Sequence, residues 1–258
     1  EKATKLISKR TWGIIPVHLY GQSANMDKIL HFAKNHKIKV LEDAAQGVGV
    51  FYNNRHTGTF GNAGILSFYG NKTITTGEGG IVLTNSDEVA TKVFRLKNHG
   101  RDQKGTFMHE HVGFNFSFSE LQAALGVAQM KKLNKIVKVK EKIFKLYKSL
   151  INENNNLKFM KVNQNCNPVY WFTSIFLNEV EKFQQYMQEN GIQTRRFFYP
   201  LNMQPCYQND ERVLNKKGNF EVSHNLYEKG ISLPSSYNLS DKEIEYISSK
   251  INSFFKKQ

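Results

Sequence analysis

The sequence predicts an α/β fold with a largely parallel sheet, followed by a smaller α+β domain. Two strand-like apolar segments, at 11–21 and 38–41, enclose residues 26–36, where apolar side chains recur at helical spacing. Strand, helix and strand at this separation are typical of a right-handed crossover between parallel strands. A polar break at 152–156 separates these elements from a second series. We therefore predict three parts: the C-terminal part of a large domain over 1–128, a connecting long helix over 129–151, and a small α+β domain over 152–258.

The remaining elements follow from the same kinds of pattern. In the large domain, we predict strands at 65–69 and 80–84 and a helix at 88–96. One long helix is predicted over 119–151, because Ser119 suits a helix cap and apolar residues recur at helical spacing as far as Leu150. The small domain is predicted to contain a strand at 170–177, helices at 180–190 and 241–255, and a further strand after the turn at Gly191.

The composition argues against several classes of protein. No apolar stretch approaches the roughly 18 residues of a transmembrane helix. The polar start of the chain runs directly into a strand-like segment, which is unlike a signal peptide. The two cysteines, Cys166 and Cys206, have the spacing of neither a disulfide framework nor a zinc site. We therefore expect a reducing, cytoplasmic setting and no membrane partner.

The formal net charge of +14 leaves several interpretations open. A basic chain is compatible with nucleic-acid binding through phosphate contacts. The same charge also arises from lysines on solvated helix faces, and a basic surface can attract a small phosphorylated ligand. Because net charge bears on association and not on the fold, it does not by itself decide between these interpretations.

Lys72 lies in a segment rich in glycine and hydroxyl groups, at 67–80, between two predicted strands. Desolvation or a nearby cation makes a lysine amine nucleophilic enough to form a Schiff base. Glycines allow the backbone to approach a bound group closely, and Ser67 can donate to a phosphate. The segment lacks the glycine–lysine order of a Walker A sequence. From these residues alone, a surface hairpin lysine remains an equally good interpretation.

Asp43 ends the second predicted strand. In parallel sheets functional groups gather just past the carboxyl ends of strands, and His18 and Asp43 both fall there. Such an acid is often a helix cap or a metal ligand. Pyridoxal phosphate (PLP) also needs a carboxylate against its pyridine nitrogen, so that the protonated ring acts as an electron sink. An aspartate at a strand end, upstream of Lys72, is an arrangement that this chemistry requires.

Taken in order, these motifs resemble those of the sugar aminotransferases of the DegT/DnrJ/EryC1/StrS family, which have the fold-type-I PLP architecture. The resemblance covers nearly the whole chain, and the segment around Lys72 is most similar to the perosamine and viosamine synthase branch. The matching segments are 16–21, 42–46, 58–61, 67–80, 99–100, 113–116, 120–124, 199–200 and 233–235.

The resemblance implies a role for each matching residue. Lys72 would bind PLP covalently and move the proton between substrate carbon and cofactor. Asp43 would pair with the pyridinium nitrogen, Gln46 would hydrogen-bond the phenolic oxygen, and Ser67 would bind the phosphate. Asn115 would reach the phosphate in the neighbouring subunit of a homodimer with shared active sites. Weaker candidates for substrate contacts are His18, His99, Arg195, Arg196 and Tyr199.

The resemblance further implies that an amino group, from L-glutamate, is transferred to C4 of a nucleotide-linked 4-keto-6-deoxy sugar in amino-sugar and glycan biosynthesis. Three alternatives stay open: amination at C3, a PLP-dependent sugar dehydratase, and, from another class, a basic nucleic-acid-binding module. The dehydratases carry histidine in place of the Schiff-base lysine, so Lys72 argues against them. The nucleotide and the sugar are not specified by the sequence.

The chain also departs from the family pattern. A glycine–threonine or glycine–serine turn against the cofactor phosphate and an aromatic ring stacked on the cofactor both belong to a segment upstream of Glu1. We therefore expect the N-terminal part of the large domain to be absent from this chain. Asn202 stands where many relatives carry histidine, which affects the substrate contacts expected there.

Overall fold

The computed structural model describes residues 2–103, 105, 107–154, 156–207 and 220–256. These residues form two compact units. Unit 1 comprises Glu1–Lys138 and Val162–Trp171, and unit 2 comprises Val139–Lys161 and Phe172–Gln258. The division into 1–128, 129–151 and 152–258 stays a prediction beside these units. None of the helices in the described part of the chain is long and apolar enough to cross a membrane.

Unit 1 is built on a four-stranded sheet. In chain order, its elements are β1 (Gly13–Ile14), α1 (Met26–His36), β2 (Lys39–Asp43), β3 (Phe51–Tyr52), β4 (Arg55–His56), β5 (Ala63–Ser67), β6 (Gly80–Thr84), α2 (Asp87–Lys97) and α3 (Glu120–Met130). The order in the main sheet is β1-β2-β5-β6. The first three strands are parallel, and β6 pairs antiparallel with β5. The predicted crossover and the largely parallel sheet are confirmed.

Local capping explains why several helices begin where the sequence predicts. The Asn25 side chain accepts from the Lys28 amide at the start of α1, and Ser86 accepts from Val89 at the start of α2. Such caps satisfy amides that have no partner within the helix. Helix α1 ends at His36 and is followed by Lys37, whose backbone is left-handed. These short-range features place α1 at the predicted residues.

The prediction of a short strand that ends in a loop over 11–21 is confirmed. Strand β1 covers Gly13–Ile14, and Leu19–Gly21 form a 3₁₀ turn in which Tyr20 has a positive φ of 55°. Pro16 has no amide to donate to a neighbouring strand. The Tyr20 amide instead donates to Gln46 Oε1 at 2.6 Å. The backbone stays paired with Asp43 through Pro16 O and the His18 amide, and the side chain of Gln46 holds the turn that follows.

The predicted single helix over 119–151 is wrong. The structure has α3, which ends at Met130, and a separate α4 (Leu133–Leu150). Between the two helices, the Lys132 amide donates to Gln129 O, which is the tight bonding of a 3₁₀ turn. Helix α3 buries no residue, whereas Ile136 of α4 packs against Val48 and Ile74. The break lets α4 present its own apolar face to the core.

Unit 2 contains an antiparallel sheet in the order β10-β11-β9-β7. Its elements, besides most of α4, are β7 (Leu157–Phe159), β9 (Thr173–Leu177), α5 (Val180–Glu189), β10 (Arg195–Arg196), α6 (Glu221–Lys229), β11 (Gly230–Leu233) and α7 (Asp241–Lys256). Strand β8 (Cys166–Asn167) instead pairs with β3 in a small sheet of unit 1. Ile175, Phe183 and Ile231 are fully buried in the core of unit 2. The predicted α+β character of this part is confirmed.

Candidate active site

Lys72 lies in the loop that joins β5 to β6. Its amide donates to Tyr69 O at 3.0 Å, and the Thr76 amide donates to Phe68 O at 2.9 Å, so the loop folds back on itself. Ile74 is 1% exposed and anchors the loop in the core. The Lys72 side chain is half-buried, with Nζ 4.9 Å from the centroid of the Trp171 ring. This anchoring distinguishes Lys72 from a lysine at the tip of a solvent-exposed hairpin.

Asp43 is the last residue of β2, and its backbone is held on both sides. Its amide donates to Pro16 O, and its carbonyl accepts from the His18 amide, both at 2.9 Å. Its Oδ1 accepts from the Ala45 amide at 3.1 Å. Throughout the part of the chain that the structure describes, no lysine, arginine or histidine forms an ion pair with Asp43. A half-buried carboxylate in this setting is suited to pair with a bound cation.

Ser67 occupies the equivalent place at the end of β5. In the parallel ladder Asp43 pairs with Ile65, so Ser67 lies two residues further along the neighbouring strand. Its Oγ accepts from the Tyr69 amide at 3.3 Å and keeps its own proton for donation. Asp43 and Ser67 thus lie at the carboxyl ends of adjacent parallel strands, and Lys72 follows in the next loop.

Gln46 lies in the turn that follows Asp43. Its Oε1 accepts from the Tyr20 amide, which leaves the two amide hydrogens of the side chain as donors. The turn is closed by the Gly47 amide, which donates to Ala44 O at 2.8 Å. Gln46 is therefore held beside the end of β2 with donors to offer.

Beneath these residues lies a buried carboxylate that the sequence analysis did not single out. Glu42, at 1% exposed, accepts from the amides of Gly58 and Gly61 at 2.7 Å and of Phe60 at 2.5 Å. It also accepts from His18 Nε2 at 3.0 Å. Burial raises the pKa of Glu42, but the hydrogen bonds from His18, Gly61 and Gly58 outweigh it and hold the pKa below its usual value. Alternation of side chains along β2 is the sequence feature that points Glu42 inward and Asp43 away from it.

The structure corrects the prediction that His18 contacts the substrate. The residue is fully buried, at 0% exposed, and Nδ1 accepts from the Ala24 amide at 3.0 Å. Because a backbone amide can only donate, the ring proton lies on Nε2, which donates a hydrogen bond to Glu42 Oε2. With both ring nitrogens engaged inside unit 1, His18 is a structural residue and not a substrate contact.

Asn115 and His99 lie on a more exposed part of unit 1. Asn115 forms an isolated bridge with Asn98 and lines an open pocket of about 730 Å³ together with Glu78, Gly79 and Gly80. Gly80 pairs with Ser67, so the structure brings Asn115 close to the loop that carries Lys72. His99 is exposed, has a left-handed backbone and accepts at its carbonyl from His109 Nδ1.

The remaining predicted residues belong to unit 2. Arg195 is exposed, and its guanidinium lies 5.8 Å from the ring centroid of Phe172 and 5.6 Å from that of Phe198. It lines an open pocket of about 460 Å³. Arg196 instead donates to Tyr227 O at 3.0 Å and lies over the Tyr227 ring, which is a structural role. Tyr199 packs edge-on against the same ring, at 5.1 Å between centroids.

The residues of unit 1 fit PLP by their chemistry and by the space around them. An amine, a carboxylate, a hydroxyl and an amide donor are what the cofactor's aldehyde, pyridine nitrogen, phosphate and phenolic oxygen require. The loop is open on the side of its glycines: a Cβ built on Gly77 meets no atom within 4 Å, and one on Gly70 meets only Gly77 O at 3.8 Å. The four side chains that the sequence predicts are thus held on three neighbouring segments of unit 1.

The chain is similar in sequence to proteins of one aminotransferase family. The family model described as the DegT/DnrJ/EryC1/StrS aminotransferase family matches residues 1–252. The chain is 36% identical over 263 residues to GDP-perosamine synthase of Vibrio cholerae, covering 99% of this chain and 70% of that protein. It is 33% identical to GDP-perosamine synthase of Escherichia coli O157:H7 over 252 residues, covering 96% of this chain and 67% of that protein.

A solved structure shows the same fold. PseC of Helicobacter pylori, an aminotransferase involved in the biosynthesis of pseudoaminic acid, superposes with a TM-score of 0.90 at 26% sequence identity, covering 99% of this chain and 70% of that one. The predicted architecture is therefore confirmed. The chain belongs to the DegT/DnrJ/EryC1/StrS aminotransferase family, whose members are PLP-dependent sugar transaminases.

Proposed function

We propose that this chain transfers an amino group from L-glutamate to C4 of a nucleotide-linked 4-keto-6-deoxy sugar. The observation that carries the proposal is the placement of Asp43 and Ser67 at the ends of adjacent strands, with the anchored Lys72 in the loop that follows. The similarity to two GDP-perosamine synthases supports the 4-keto sugar and favours GDP as the nucleotide. Family membership favours this hypothesis over a nucleic-acid-binding module.

Four side chains would hold the cofactor. Lys72 would bond it covalently, Asp43 would pair with its ring nitrogen, Gln46 would donate to its phenolic oxygen, and Ser67 would donate to its phosphate. When bound, PLP supplies an electron sink for the negative charge that develops at the substrate carbon. The Lys72 amine would also act as general acid and base and move the proton at that carbon.

The remaining roles concern substrates and assembly. Asn115 would contact the phosphate of the cofactor in the neighbouring subunit of a cytoplasmic homodimer. Among the substrate contacts, Arg195 is suited to a phosphate or a carboxylate, because flat guanidinium groups bind such anions with two hydrogen bonds. His99 and Tyr199 are exposed and are proposed as further contacts.

Replacement of Lys72 tests the chemistry. In the complete protein, Lys72→Ala should lower the transamination rate by about 10²- to 10⁴-fold, because the general acid and base is lost. The wild type mixed with PLP should gain a visible absorption band, and borohydride should fix the cofactor on Lys72, as read by peptide mass. Lys92→Ala, an exposed lysine paired with Glu88, is the matched control and should behave as the wild type. Wild-type rates in Lys72→Ala would refute the proposal.

A panel of keto-sugar nucleotides tests the substrate. UDP-, GDP- and TDP-linked 3-keto and 4-keto sugars are each supplied with L-glutamate, and the products are measured by mass and by the position of the new nitrogen. We expect nitrogen at C4 and the highest rate with a GDP sugar. A product with nitrogen at C3 would assign the C3 alternative, and a product that lost oxygen without gaining nitrogen would assign a dehydratase.

A further inference from the structure

Trp171 contacts both the backbone before Lys72 and the Lys72 amine. Its indole N–H donates to Asn71 O at 2.7 Å, and Lys72 Nζ lies 4.9 Å from its ring centroid. The ring is almost fully buried, at 3% exposed. Trp171 follows Asn71 by 100 residues and ends the segment Val162–Trp171, which lies in unit 1. One side chain thus fixes the loop and the amine together.

The backbone around Trp171 is itself closely packed. The Val169 amide donates to Gly21 O at 3.1 Å, and Val169 is fully buried. Gly21 has a φ of 73°, and a Cβ there would lie 2.8 Å from Val169 Cγ2 and 3.0 Å from the Trp171 amide nitrogen. Glycine alone combines this backbone with this approach. The indole therefore has little freedom to move with the loop.

We propose that Trp171 is a positioning residue for Lys72, an inference that rests on the proposed role of Lys72. The hydrogen bond to Asn71 O fixes the backbone that precedes the lysine. The face of the indole carries negative charge density and attracts the ammonium group, which holds Nζ at one place in the cofactor-free protein. The lysine is thereby ordered before the cofactor arrives, and the entropy lost on reaction is smaller.

The test uses cofactor-free protein, so that it does not depend on turnover. Trace acetic anhydride labels lysine amines, and peptide mass gives the rate at Lys72 relative to Lys92 in the same sample. Trp171→Met removes the ring and should raise the rate at which Lys72 is acetylated about two- to fivefold. This is the change expected from losing a cation–π contact that is between exposed and half-buried. Trp171→Phe keeps a ring face and should raise it less. Trp12→Met is the control, because Trp12 is the other tryptophan and is 68% exposed.

A second variant separates the ring's charge distribution from its shape. Site-specific tetrafluorotryptophan at position 171 keeps the volume and the N–H but weakens the negative face. It should raise the Lys72 rate even if Trp171→Met does not fold, which a melting curve reports. An unchanged rate in the fluorinated protein, or an equal rise in Trp12→Met, would overturn the inference.

A parallel readout separates this inference from the proposed function. At limiting PLP, borohydride should fix the cofactor on Lys72 in the wild type and fix less of it in Trp171→Phe, which lacks the hydrogen bond to Asn71 O. Equal fixation in both proteins counts against positioning by Trp171 and leaves the role of Lys72 intact. Absence of fixation in the wild type would overturn the proposed function itself.

Discussion

Glu42 of unit 1 and Lys140 of unit 2 are both buried ionisable side chains, but their surroundings act on their charges differently. Glu42 of unit 1 accepts three backbone amides and His18 Nε2, and its pKa is lowered. Lys140 of unit 2 is 8% exposed and donates to Ser235 O at 2.9 Å. Burial lowers the pKa of Lys140 to about 8, because the charged form is poorly solvated there.

The difference lies in how far hydrogen bonds offset the loss of water. Around Glu42, donors from several segments stabilise the charge, so that burial produces a rigid support beneath Asp43. Around Lys140, the hydrogen bond to Ser235 O fixes the backbone that follows β11. It offsets only part of the free energy lost when the ammonium group leaves water. Hydrogen bonds around a buried charge thus decide whether burial favours its neutral form.

The largest effect is expected from Glu42→Ala. The substitution leaves His18 and three amide donors without their acceptor, so the free energy of unfolding should fall by about 3 to 5 kcal/mol. Urea denaturation at neutral pH measures this change. Glu88→Ala, at an exposed glutamate, should leave the denaturation curve unchanged. A loss as small as that control would mean that the amides around Glu42 find other acceptors.

A somewhat smaller effect is expected from alkaline pH on Lys140. The unfolded chain keeps this lysine protonated up to its ordinary pKa of 10.5, whereas the folded protein releases the proton near pH 8. Between these values the unfolded state holds more protons, so the stability of the wild type should rise with pH, by about 3 kcal/mol from this residue. Lys140→Met should lack that rise when urea curves at the two pH values are compared. An identical pH dependence in both proteins would contradict the buried-cation interpretation.

Acid should remove part of the contribution of Glu42. Because its pKa is lowered in the folded protein, the stabilisation is complete above the usual value of 4.5 and is lost as the pH falls below it. The stability lost at acid pH is smaller than the stability lost in Glu42→Ala, because a protonated carboxyl still accepts hydrogen bonds. The stability difference between the wild type and Glu42→Gln should therefore shrink below pH 4.5 in thermal melts. A constant difference would show that Glu42 does not titrate in this range.

The smallest effect is expected from Tyr147→Phe. The Tyr147 hydroxyl is buried and donates to Pro234 O at 3.0 Å, next to the carbonyl held by Lys140. Removal of this hydroxyl should lower the free energy of unfolding, measured by urea denaturation, by about 1 kcal/mol. Tyr246→Phe is the matched control, because Tyr246 donates to Asn190 O from an exposed position. Equal costs in the two variants would mean that burial adds nothing to this bond.

The local sequence pattern was sufficient to predict the position of an element whose conformation depends on its own residues. Helix α1 and strand β6 lie at the predicted positions, because apolar spacing and caps act within a few residues. The 3₁₀ turn at Tyr20 and the break after Met130 could not be predicted in this way. Their conformations depend on partners elsewhere in the chain, such as Gln46 for Tyr20 and the core around Ile74 for α4.

The sequence by itself determined the family, the PLP chemistry and the order of Asp43, Gln46, Ser67 and Lys72, because motif and spacing survive in the linear chain. The tertiary structure alone decided which polar residues support that site. His18 was expected at the substrate and lies in the core on Glu42, 24 residues away, while Trp171 reaches the backbone before Lys72 from 100 residues away. Hydrogen bonds and burial between distant segments carry no period or spacing in the sequence, so only the folded chain reveals them.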